Sequence, residues 1–485
     1  MPRLPLVEGV LKYIKEKNIP FCMPGHKAGI GFLETLQGKE LYKNLIKADI
    51  TEVDGLDNLH HAEGIIKESQ ELLSKYYGSV KSYFLVNGST SGNLAMIFSS
   101  FNEGDKIIVE RNCHRSIFNA IIMRKLKPVY IKNKIHSKYD APLPLDKGSF
   151  LCIINKNKDA KGIIVTYPNY YGICLDLPYI IEITRKYNMK VLVDAAHGAH
   201  FGTCKSLPEN PMKLGAHMAV MSAHKTLPSL TQTAFLHAGR DIDISKMDFY
   251  VSAFLSTSPS YMLLCSMDYA RFYIKEYGES KYEQLIKLCV FNRNKINNLG
   301  KFYILGQDDL KDVSSNQDVG INEYTMDLTR FILNVPKGYS GHKLLKYLRV
   351  NKIQAEMSDN RNVVLIFSLF NNKKDFQKLY VALKNCDMDT LKVEYIHLID
   401  YDMPIASMYP YEIMDKRIIM VELKESEDKI SAVAIVPYPP GIPIVMPGER
   451  IGLNTIAVIE YYLQANVTVL GINEGKVATV EEYRY

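Results

Sequence analysis

The chain has 485 residues, of which 47% are hydrophobic and 23% charged, a composition typical of a globular protein with about two to three domains. Its net charge of +6 comes from scattered lysines rather than a basic block with interleaved aromatics, so we expect no nucleic-acid partner. The 8 cysteines form no CxxC pair, which argues against a thiolate zinc site and favours reduced thiols. Because no signal peptide and no apolar run of about 18 residues is evident, we expect a cytoplasmic protein with no membrane partner.

Short apolar runs alternate with amphipathic stretches between residues 80 and 240. The runs are SYFLV (82–86), KIIVE (106–110), KPVYI (127–131), GIIVTY (162–167), KVLVDAA (190–196) and MAVMSA (218–223). Buried parallel strands have this composition, and the intervening stretches are long enough for crossover helices. The pattern predicts an α/β fold with a mostly parallel sheet.

The pattern changes after about residue 245. A long helical stretch ending at Gly300 reads as a connector, and the alternating elements after it predict a smaller α+β module. The proline-rich segment VPYPPGIPIVMPGER (436–450) cannot continue a helix or a central strand, so we expect an ordered, extended loop. The predicted divisions are an N-terminal segment, a large domain, the small module and a C-terminal domain, at 1–60, 61–315, 316–395 and 396–485.

The segment NGSTSGN (87–93) lies between a predicted strand and a predicted helix. Small residues let backbone amides approach an anion, and a helix N-terminus favours a phosphate. It is neither a P-loop nor a nucleophile elbow. The alternative is a capped helix start that binds no ligand.

Further polar groups follow other predicted strands. Asp194 closes one strand, where a carboxylate faces the ligand crevice, or else caps a helix. Lys225 follows another; a desolvated lysine forms a Schiff base with an aldehyde, and the alternative is a surface lysine. His114 is either a stacking partner for an aromatic ring or a structural histidine. His197 and His200 are one helical turn apart, but no third ligand is evident, so no metal is predicted.

A phosphate loop, a stacking histidine, a carboxylate and a lysine thus follow successive strands of one predicted domain. Together they are what an aldehyde-phosphate cofactor requires, namely pyridoxal 5'-phosphate. Its ring nitrogen needs a carboxylate partner, and its aldehyde needs an amine.

The chain resembles the bacterial ornithine/lysine/arginine decarboxylases of pyridoxal-phosphate fold type I. The resemblance covers nearly the whole chain. Its motifs are MPGHK (23–27), DITEVDGLD (49–57), LHHAEG (59–64), NGSTSGN (87–93), RNCH (111–114), TYPNYYG (166–172), DAAHGAH (194–200), SAHK (222–225), PYPPGIP (437–443) and PGE (447–449). In length the chain is similar to the shorter arginine decarboxylases of Gram-positive bacteria.

The resemblance implies a role for each site residue. Lys225 bonds the cofactor, Asp194 pairs with the ring nitrogen, and His114 and Ala196 lie on opposite faces of the ring. The phosphate is held by Ser89, Thr90, Ser222 and His224. The cofactor-binding set also includes Ser91 and His197. The expected catalytic residues are Lys225, His224, Asp194 and His114.

The resemblance also implies an assembly and a substrate. We expect a homodimer or a higher homo-oligomer with shared active sites. The expected reaction is decarboxylation of a basic amino acid, within polyamine biosynthesis. The resemblance to the shorter subgroup favours L-arginine, which would give agmatine. Lysine or ornithine, giving cadaverine or putrescine, are the alternatives. The acids considered for the substrate's distal cation are Glu449, Asp54 and Glu63, with Asp57 and Glu356 as further candidates.

Three points stay open at this level. The family commonly has glutamate where this chain has Ala195, which puts activity or its pH dependence in question. An aminotransferase would need an arginine for the substrate carboxylate, and Arg361 is available in the sequence. An inactive partner protein with the same fold would need neither Lys225 nor Asp194.

Overall fold

The computed structural model describes residues 4–313, 324–394, 401–438 and 441–482. Within those ranges no helix is long and apolar enough to cross a bilayer. Pro439 and Pro440 of the proline-rich segment lie outside the described residues. The predicted boundaries at 315/316 and 395/396 lie outside them as well, and the domain limits stay predictions.

The strands and helices of the described residues are numbered along the chain. The strands are β1 (Ile19–Phe21), β2 (Lys81–Leu85), β3 (Lys106–Glu110), β4 (Lys127–Ile131), β5 (Gly162–Thr166), β6 (Ile173–Leu175), β7 (Lys190–Asp194), β8 (Met218–Met221), β9 (Ala234–Ala238), β10 (Tyr303–Ile304), β11 (Tyr324–Met326), β12 (Arg330–Asn334), β13 (Ile353–Ala355), β14 (Met357–Ser358), β15 (Asn362–Ile366), β16 (Ile418–Glu422), β17 (Val436–Tyr438), β18 (Thr468–Leu470), β19 (Ile472–Asn473) and β20 (Lys476–Val480). The α-helices are α1 (Pro5–Lys15), α2 (Leu36–Asn44), α3 (Ile65–Tyr77), α4 (Gly88–Ser100), α5 (Arg115–Met123), α6 (Lys147–Lys156), α7 (Leu177–Arg185), α8 (Ala223–Thr226), α9 (Ile244–Phe254), α10 (Tyr261–Asn297), α11 (Gly341–Val350), α12 (Lys373–Asn385) and α13 (Leu453–Gln464).

A seven-stranded sheet forms the centre of the large domain, in the order β2-β9-β8-β7-β5-β3-β4. Neighbouring strands are parallel from β8 to β4, and β9 runs antiparallel to both β8 and β2. The predicted α/β fold with a mostly parallel sheet is confirmed, and all six predicted strands belong to this sheet. Strand β9 is not among the predicted strands, because its sequence AFLHA has no β-branched residue and contains a histidine.

Helix α4 lies close against this sheet because Gly92 has no side chain. A Cβ at this position would lie 2.6 Å from Cδ1 of Leu85 and 2.9 Å from Cγ1 of Val220. The close approach brings the first turn of α4 to the carboxyl edge of the sheet. The sequence between β2 and α4 therefore lies beside the ends of the neighbouring strands.

The small module is built on a four-stranded antiparallel sheet in the order β10-β12-β15-β14, with α11 and α12. The predicted helical connector corresponds to the 37-residue helix α10, which leads into the small module. Strand β10 belongs to the sheet of this module, although it lies before residue 316, where the module was predicted to begin. β1 pairs in parallel with β13, so the N-terminal segment is joined to this module. The predicted smaller α+β module is confirmed.

The C-terminal domain has its own small sheets, β16-β20-β19 and β17-β18, and one main helix, α13. Its apolar cluster includes Ile435, Val445, Ile451 and Ile459. The described part of the proline-rich segment contains β17 and no helix, in line with the predicted extended loop. This segment runs back towards the large domain.

Candidate active site

The four polar segments predicted after separate strands meet at one edge of the sheet. Asn93 of α4 donates from Nδ2 to Oδ2 of Asp194, at 3.0 Å, and to Oγ of Ser116, at 2.9 Å. Asp194 ends β7, and Ser116 lies in the first turn of α5, after β3. Since β8, the neighbour of β7, runs directly into α8 and Lys225, the strand ends place all four segments around one crevice.

Lys225 is a half-buried lysine on the short helix α8. Its Nζ lies 3.0 Å from Nε2 of His197. Burial lowers the pKa of Lys225 to about 8, with Asp194 raising it and Arg330 lowering it further. An amine with a lowered pKa is neutral in a larger fraction of molecules at neutral pH, which favours nucleophilic attack on an aldehyde.

Asp194 is a fixed carboxylate with 3% of its surface exposed. Its Oδ1 accepts from the backbone N–H of Ala196 at 3.1 Å, and its Oδ2 accepts from Asn93. Neither donor carries a charge. A buried carboxylate with neutral partners is suited to a cationic group such as a protonated pyridine nitrogen.

His114 forms the N-cap of α5. Its Nδ1 contacts Oγ of Ser116 at 2.8 Å, which fixes the ring. Burial lowers the pKa of His114, and the charges of Asp194 and Lys225 also act on it, so its ring lies near both. Burial also raises the pKa of the Cys113 thiol, and Cys113 is accordingly not a thiolate nucleophile.

The predicted phosphate groups surround the start of α4 and the start of α8. Ser89 is half-buried, Thr90 is exposed, and Ser91 donates its hydroxyl to the Gly88 carbonyl at 2.8 Å. Ser222 is buried, and its Oγ has no hydrogen-bond partner among the described residues. His224 is fixed from Nδ1 by the carbonyl of Thr233 at 2.8 Å.

These features fit pyridoxal phosphate. The first turn of α4 has no side-chain cap, so its backbone N–H groups are available to an anion. The orphaned hydroxyl of Ser222 supplies a further donor. Together with the buried carboxylate of Asp194 and the amine of Lys225, they match the phosphate, the ring nitrogen and the aldehyde of that cofactor.

Arg330 and Tyr170 complete the crevice, and neither is among the predicted site residues. Arg330 donates from Nη1 to the Tyr170 carbonyl at 2.8 Å and to Nδ1 of His197 at 3.2 Å. The Tyr170 ring packs edge-on against His197, with ring centroids 4.6 Å apart. A charged residue followed directly by the apolar run of residues 331–333 is the signal that would have singled out Arg330.

The N-terminal motif at residues 23–27 packs against the turn that carries Lys225. The backbone N–H of Gly25 donates to the His224 carbonyl at 2.7 Å. A Cβ at Gly25 would lie 2.5 Å from the carbonyl carbon of Thr226, so the contact requires glycine. The motif therefore supports the lysine turn from outside the large domain.

Among the acidic candidates, Glu356 is the one near Lys225. Its Oε1 accepts from the Tyr170 hydroxyl at 2.5 Å, and its Oε2 accepts from the backbone N–H of Met23 at 2.9 Å. The charge of Glu356 raises the pKa of Lys225, after burial and other charges have lowered it. No Lys, Arg or His nitrogen lies within 4.0 Å of Glu356 in the described part of the chain.

The other acidic candidates have different partners. Glu449 forms a buried ion pair with Arg111, at 2.6 and 2.7 Å, and Arg111 also donates to the carbonyls of Pro443 and Ile444. This contact ties the C-terminal loop to the segment before His114. The remaining candidates are exposed or hold a turn: Asp54 is exposed, Glu63 pairs with His61, and Asp57 accepts backbone N–H groups of residues 58–66.

Arg361, the arginine considered for an aminotransferase, is directed elsewhere. Its Nη1 contacts Oδ2 of Asp140 at 3.0 Å and the carbonyl of Lys138 at 3.0 Å. Its Nη2 donates to Asn334 at 3.2 Å. These contacts hold β15 of the small module against the loop after β4.

Residues 4–375 match the family Orn/Lys/Arg decarboxylase, major domain, and residues 389–469 match its C-terminal domain. A Bacillus subtilis (strain 168) protein named arginine decarboxylase is 31% identical over 474 residues, covering 96% of this chain and 95% of its own. The arginine decarboxylase of Halalkalibacterium halodurans is 32% identical with the same coverage. The B. subtilis protein named Uncharacterized protein YaaO is 32% identical and covers 96% of each chain.

Solved structures share the fold at lower identity. The Escherichia coli constitutive lysine decarboxylase superposes with a TM-score of 0.76 at 18% identity, covering 98% of this chain and 82% of its own. Lysine decarboxylase A from Pseudomonas aeruginosa gives 0.76 at 19% identity, with the same coverage. The arrangement of a large domain, a small module and a C-terminal domain is thus that of these enzymes.

Proposed function

Since the chain belongs to the Orn/Lys/Arg decarboxylase family, we propose that its substrate is L-arginine, which it converts to agmatine and carbon dioxide. Family membership makes it a pyridoxal-phosphate-dependent amino-acid decarboxylase. Relatives named arginine decarboxylase, at 31–32% identity over at least 95% of both chains, support arginine. Lysine to cadaverine and ornithine to putrescine are the alternatives, and each product is a polyamine precursor or a diamine.

Glu356 is the observation that carries the choice of a basic substrate. Two neutral donors fix its carboxylate, and no cationic side chain of the described residues pairs with it. Its charge acts on the Lys225 amine, so it lies in the crevice where the substrate's amino group must arrive. A partly buried carboxylate whose charge acts on Lys27 and Lys225, but which has no cationic nitrogen of the described residues within 4.0 Å, favours binding of a cation. The distal group of a basic amino acid supplies that cation.

Arginine fits this carboxylate better than lysine or ornithine in one respect. Each oxygen of Glu356 accepts one hydrogen bond from the protein, which leaves one lone pair on each. A guanidinium can donate to both oxygens at once through its planar fork, whereas an ammonium is a point charge. Glu356 and Tyr170 would therefore form the distal end of the substrate site.

The remaining site residues act around the cofactor. When bound, pyridoxal phosphate supplies the electron sink for the electrons of the bond to the leaving carboxylate. Lys225 would hold it covalently, Asp194 would keep the proton on its ring nitrogen, and His114 and Ala196 would lie against its two faces. Lys225 or His224 would return a proton to the α-carbon of the substrate. The phosphate would be bound by Ser89, Thr90, Ser222 and His224.

We also propose that the enzyme is a cytoplasmic homodimer or higher homo-oligomer. The N-terminal segment exposes large apolar side chains: Leu6 is 80% exposed, Leu36 81% and Ile46 81%. Exposed apolar side chains of this size favour burial against another protein chain. Within the described residues all cysteines are free thiols, which agrees with a reducing compartment.

The test of the substrate is product formation by the purified protein with pyridoxal phosphate. Arginine, lysine and ornithine are offered in parallel, and agmatine, cadaverine and putrescine are measured, with Lys225→Ala as the control. Agmatine as the dominant product, lost in the variant, is the expected result. If cadaverine or putrescine dominates instead, the substrate is lysine or ornithine rather than arginine. A keto acid in place of any amine would make the enzyme an aminotransferase.

Glu356→Gln tests the distal site directly. Because the amide keeps the shape but removes the charge, we expect kcat/KM for the favoured substrate to fall about 10²-fold, a loss of about 3 kcal/mol for a charge-assisted contact. The visible absorbance of the bound cofactor should stay unchanged. Glu63→Gln, in an exposed pair, is the matched control. Equal kinetics for the two variants would remove Glu356 from substrate binding.

A further inference from the structure

Two buried side chains, Arg330 and His197, form a continuous chain of contacts that ends at the half-buried Lys225. Nη1 of Arg330 lies 3.2 Å from Nδ1 of His197, and Nε2 of His197 lies 3.0 Å from Nζ of Lys225. Arg330 is 1% exposed and His197 5% exposed. Water is therefore largely kept from the two residues that lead to Lys225.

The direction of these hydrogen bonds follows from the chemistry of arginine. A guanidinium only donates, so Nδ1 of His197 must accept and must carry its lone pair. The proton of the neutral imidazole is then on Nε2, which faces Lys225. An ammonium has no lone pair, so Nε2–H can donate to Nζ of Lys225 only when that amine is neutral.

From this geometry we infer that Arg330 is a positioning residue which, by fixing the tautomer of His197, selects the neutral and nucleophilic form of the Lys225 amine. The inference rests on Lys225 as the cofactor lysine and holds for any of the three basic substrates. His197 would then have two roles, the expected contact with the cofactor and the hydrogen bond to Lys225. The amine is needed in this form both to bond the cofactor and to accept a proton after substrate has displaced it.

The neighbours of Arg330 leave its guanidinium in contact with His197. Its Nη1 makes both hydrogen bonds, to the Tyr170 carbonyl and to His197, while Nε and Nη2 have no partner among the described residues. A Cβ at Gly172 would lie 3.0 Å from Cδ of Arg330, so glycine provides the room for the side chain. The only side-chain acceptor that this guanidinium contacts in the described structure is the imidazole.

Several other charged or titratable groups also face Lys225. Asp194 and Glu356 raise its pKa, whereas burial and Arg330 lower it to about 8. His114 and His224 lie near enough for Lys225 to lower their own pKa values, which burial has already lowered. Burial lowers the pKa of His197 well below its usual value, so the neutral imidazole required by the chain is its stable form.

The tautomer of His197 is measurable in the unaltered, cofactor-free chain. Nitrogen-15 chemical shifts of labelled histidines separate a protonated from an unprotonated ring nitrogen, and the His197→Phe variant identifies its signals. We expect Nε2 protonated and Nδ1 unprotonated at pH 7.5. A proton on Nδ1 would overturn the inference, and this result does not depend on which amino acid is the substrate.

Variants test the effect on Lys225. The rate at which the cofactor-free chain takes up pyridoxal phosphate, followed by visible absorbance between pH 6.5 and 9.5, reports the neutral fraction of the amine. For the unaltered chain the rate should rise with a midpoint near pH 8. For Arg330→Met we expect the midpoint to move up by about one pH unit, which slows uptake about tenfold at pH 7.

A double-mutant cycle separates the tautomer from simple charge. If Arg330 acts through His197, the shift caused by Arg330→Met should largely vanish in the His197→Phe background. An equal shift in both backgrounds would show that Arg330 acts only as a positive charge. Arg293→Met is the matched control, since Arg293 is also a buried arginine with unpartnered nitrogens and makes no contact with His197. Arg330→Lys, which keeps a donor, replaces Arg330→Met if that variant fails to fold, and should retain a midpoint near that of the unaltered chain.

Discussion

Lys27 is buried and Lys225 is half-buried, and desolvation lowers the pKa of each to about 8. Lys27 donates to the carbonyls of Cys22 at 2.6 Å and Ile366 at 2.9 Å. Lys225 instead lies against the imidazole of His197 at 3.0 Å. A carbonyl only accepts, so it holds an amine as a donor, whereas an imidazole N–H can donate to the lone pair. Burial alone thus makes a neutral amine available, and the partners decide whether it can act as a nucleophile.

The largest expected difference between the two lysines is in catalysis. Lys225→Met should lower turnover at least about 10³-fold, because both covalent attachment and proton transfer are lost. Lys27→Met should keep the visible absorbance of the covalently bound cofactor. Absorbance spectra and amine production of the two variants check this. Loss of the absorbance of the covalently bound cofactor in Lys27→Met, with the fold intact, would show that the two lysines do not differ in this way.

The second difference is in stability. Lys27→Met leaves the carbonyls of Cys22 and Ile366 without their donor, which we expect to lower the free energy of unfolding by about 2–4 kcal/mol. Lys225→Met removes a buried amine that has no carbonyl to satisfy, so its effect should be smaller. Urea unfolding of the two cofactor-free variants provides the measurement. A larger loss for Lys225→Met would contradict the roles assigned to the two amines.

The smallest expected effect is on the pH dependence of stability. A lysine with a folded pKa of about 8 and an unfolded pKa of about 10.4 binds fewer protons when folded between those values. Stability should therefore rise with pH in that window, and the burial penalty is complete below about pH 8. Relative to Lys27→Met, the unaltered chain should gain about 1 kcal/mol per pH unit between pH 8 and 9.5. If the difference in unfolding free energy between the two proteins does not change with pH in this window, the lowered pKa of Lys27 would be contradicted.

Most of the candidate cofactor site could be predicted from the sequence, since its residues lie at or just after the ends of strands. Asp194 ends β7, whereas Lys225 and His114 stand four residues after the ends of β8 and β3, and the carboxyl ends of parallel strands share one edge of a sheet. Arg330 and Tyr170 could not be placed in this way. Arg330 opens a strand of another module and Tyr170 lies in a loop, and only folding brings them to His197.

The acidic residues show the same limit of prediction from sequence. Five carboxylates were equivalent candidates for the substrate's distal cation, because composition does not reveal which acid already has a partner. In the fold Glu449 pairs with Arg111 across 338 positions of sequence, while Glu356 meets Tyr170 across 186. Contacts between residues so distant in sequence depend on how the modules pack.

The sequence by itself determined the parallel sheet, the order of the polar strand ends and the cofactor chemistry, because strand periodicity and residue type are local properties. Only the tertiary structure decided which charged groups remain without a partner among the described residues, and which groups surround the amine of Lys225. Both depend on burial and on long-range contacts, which set the desolvation and the available donors of each group. The lowered pKa of Lys225 and the lack of a cationic partner for Glu356 among the described residues are therefore properties of the fold.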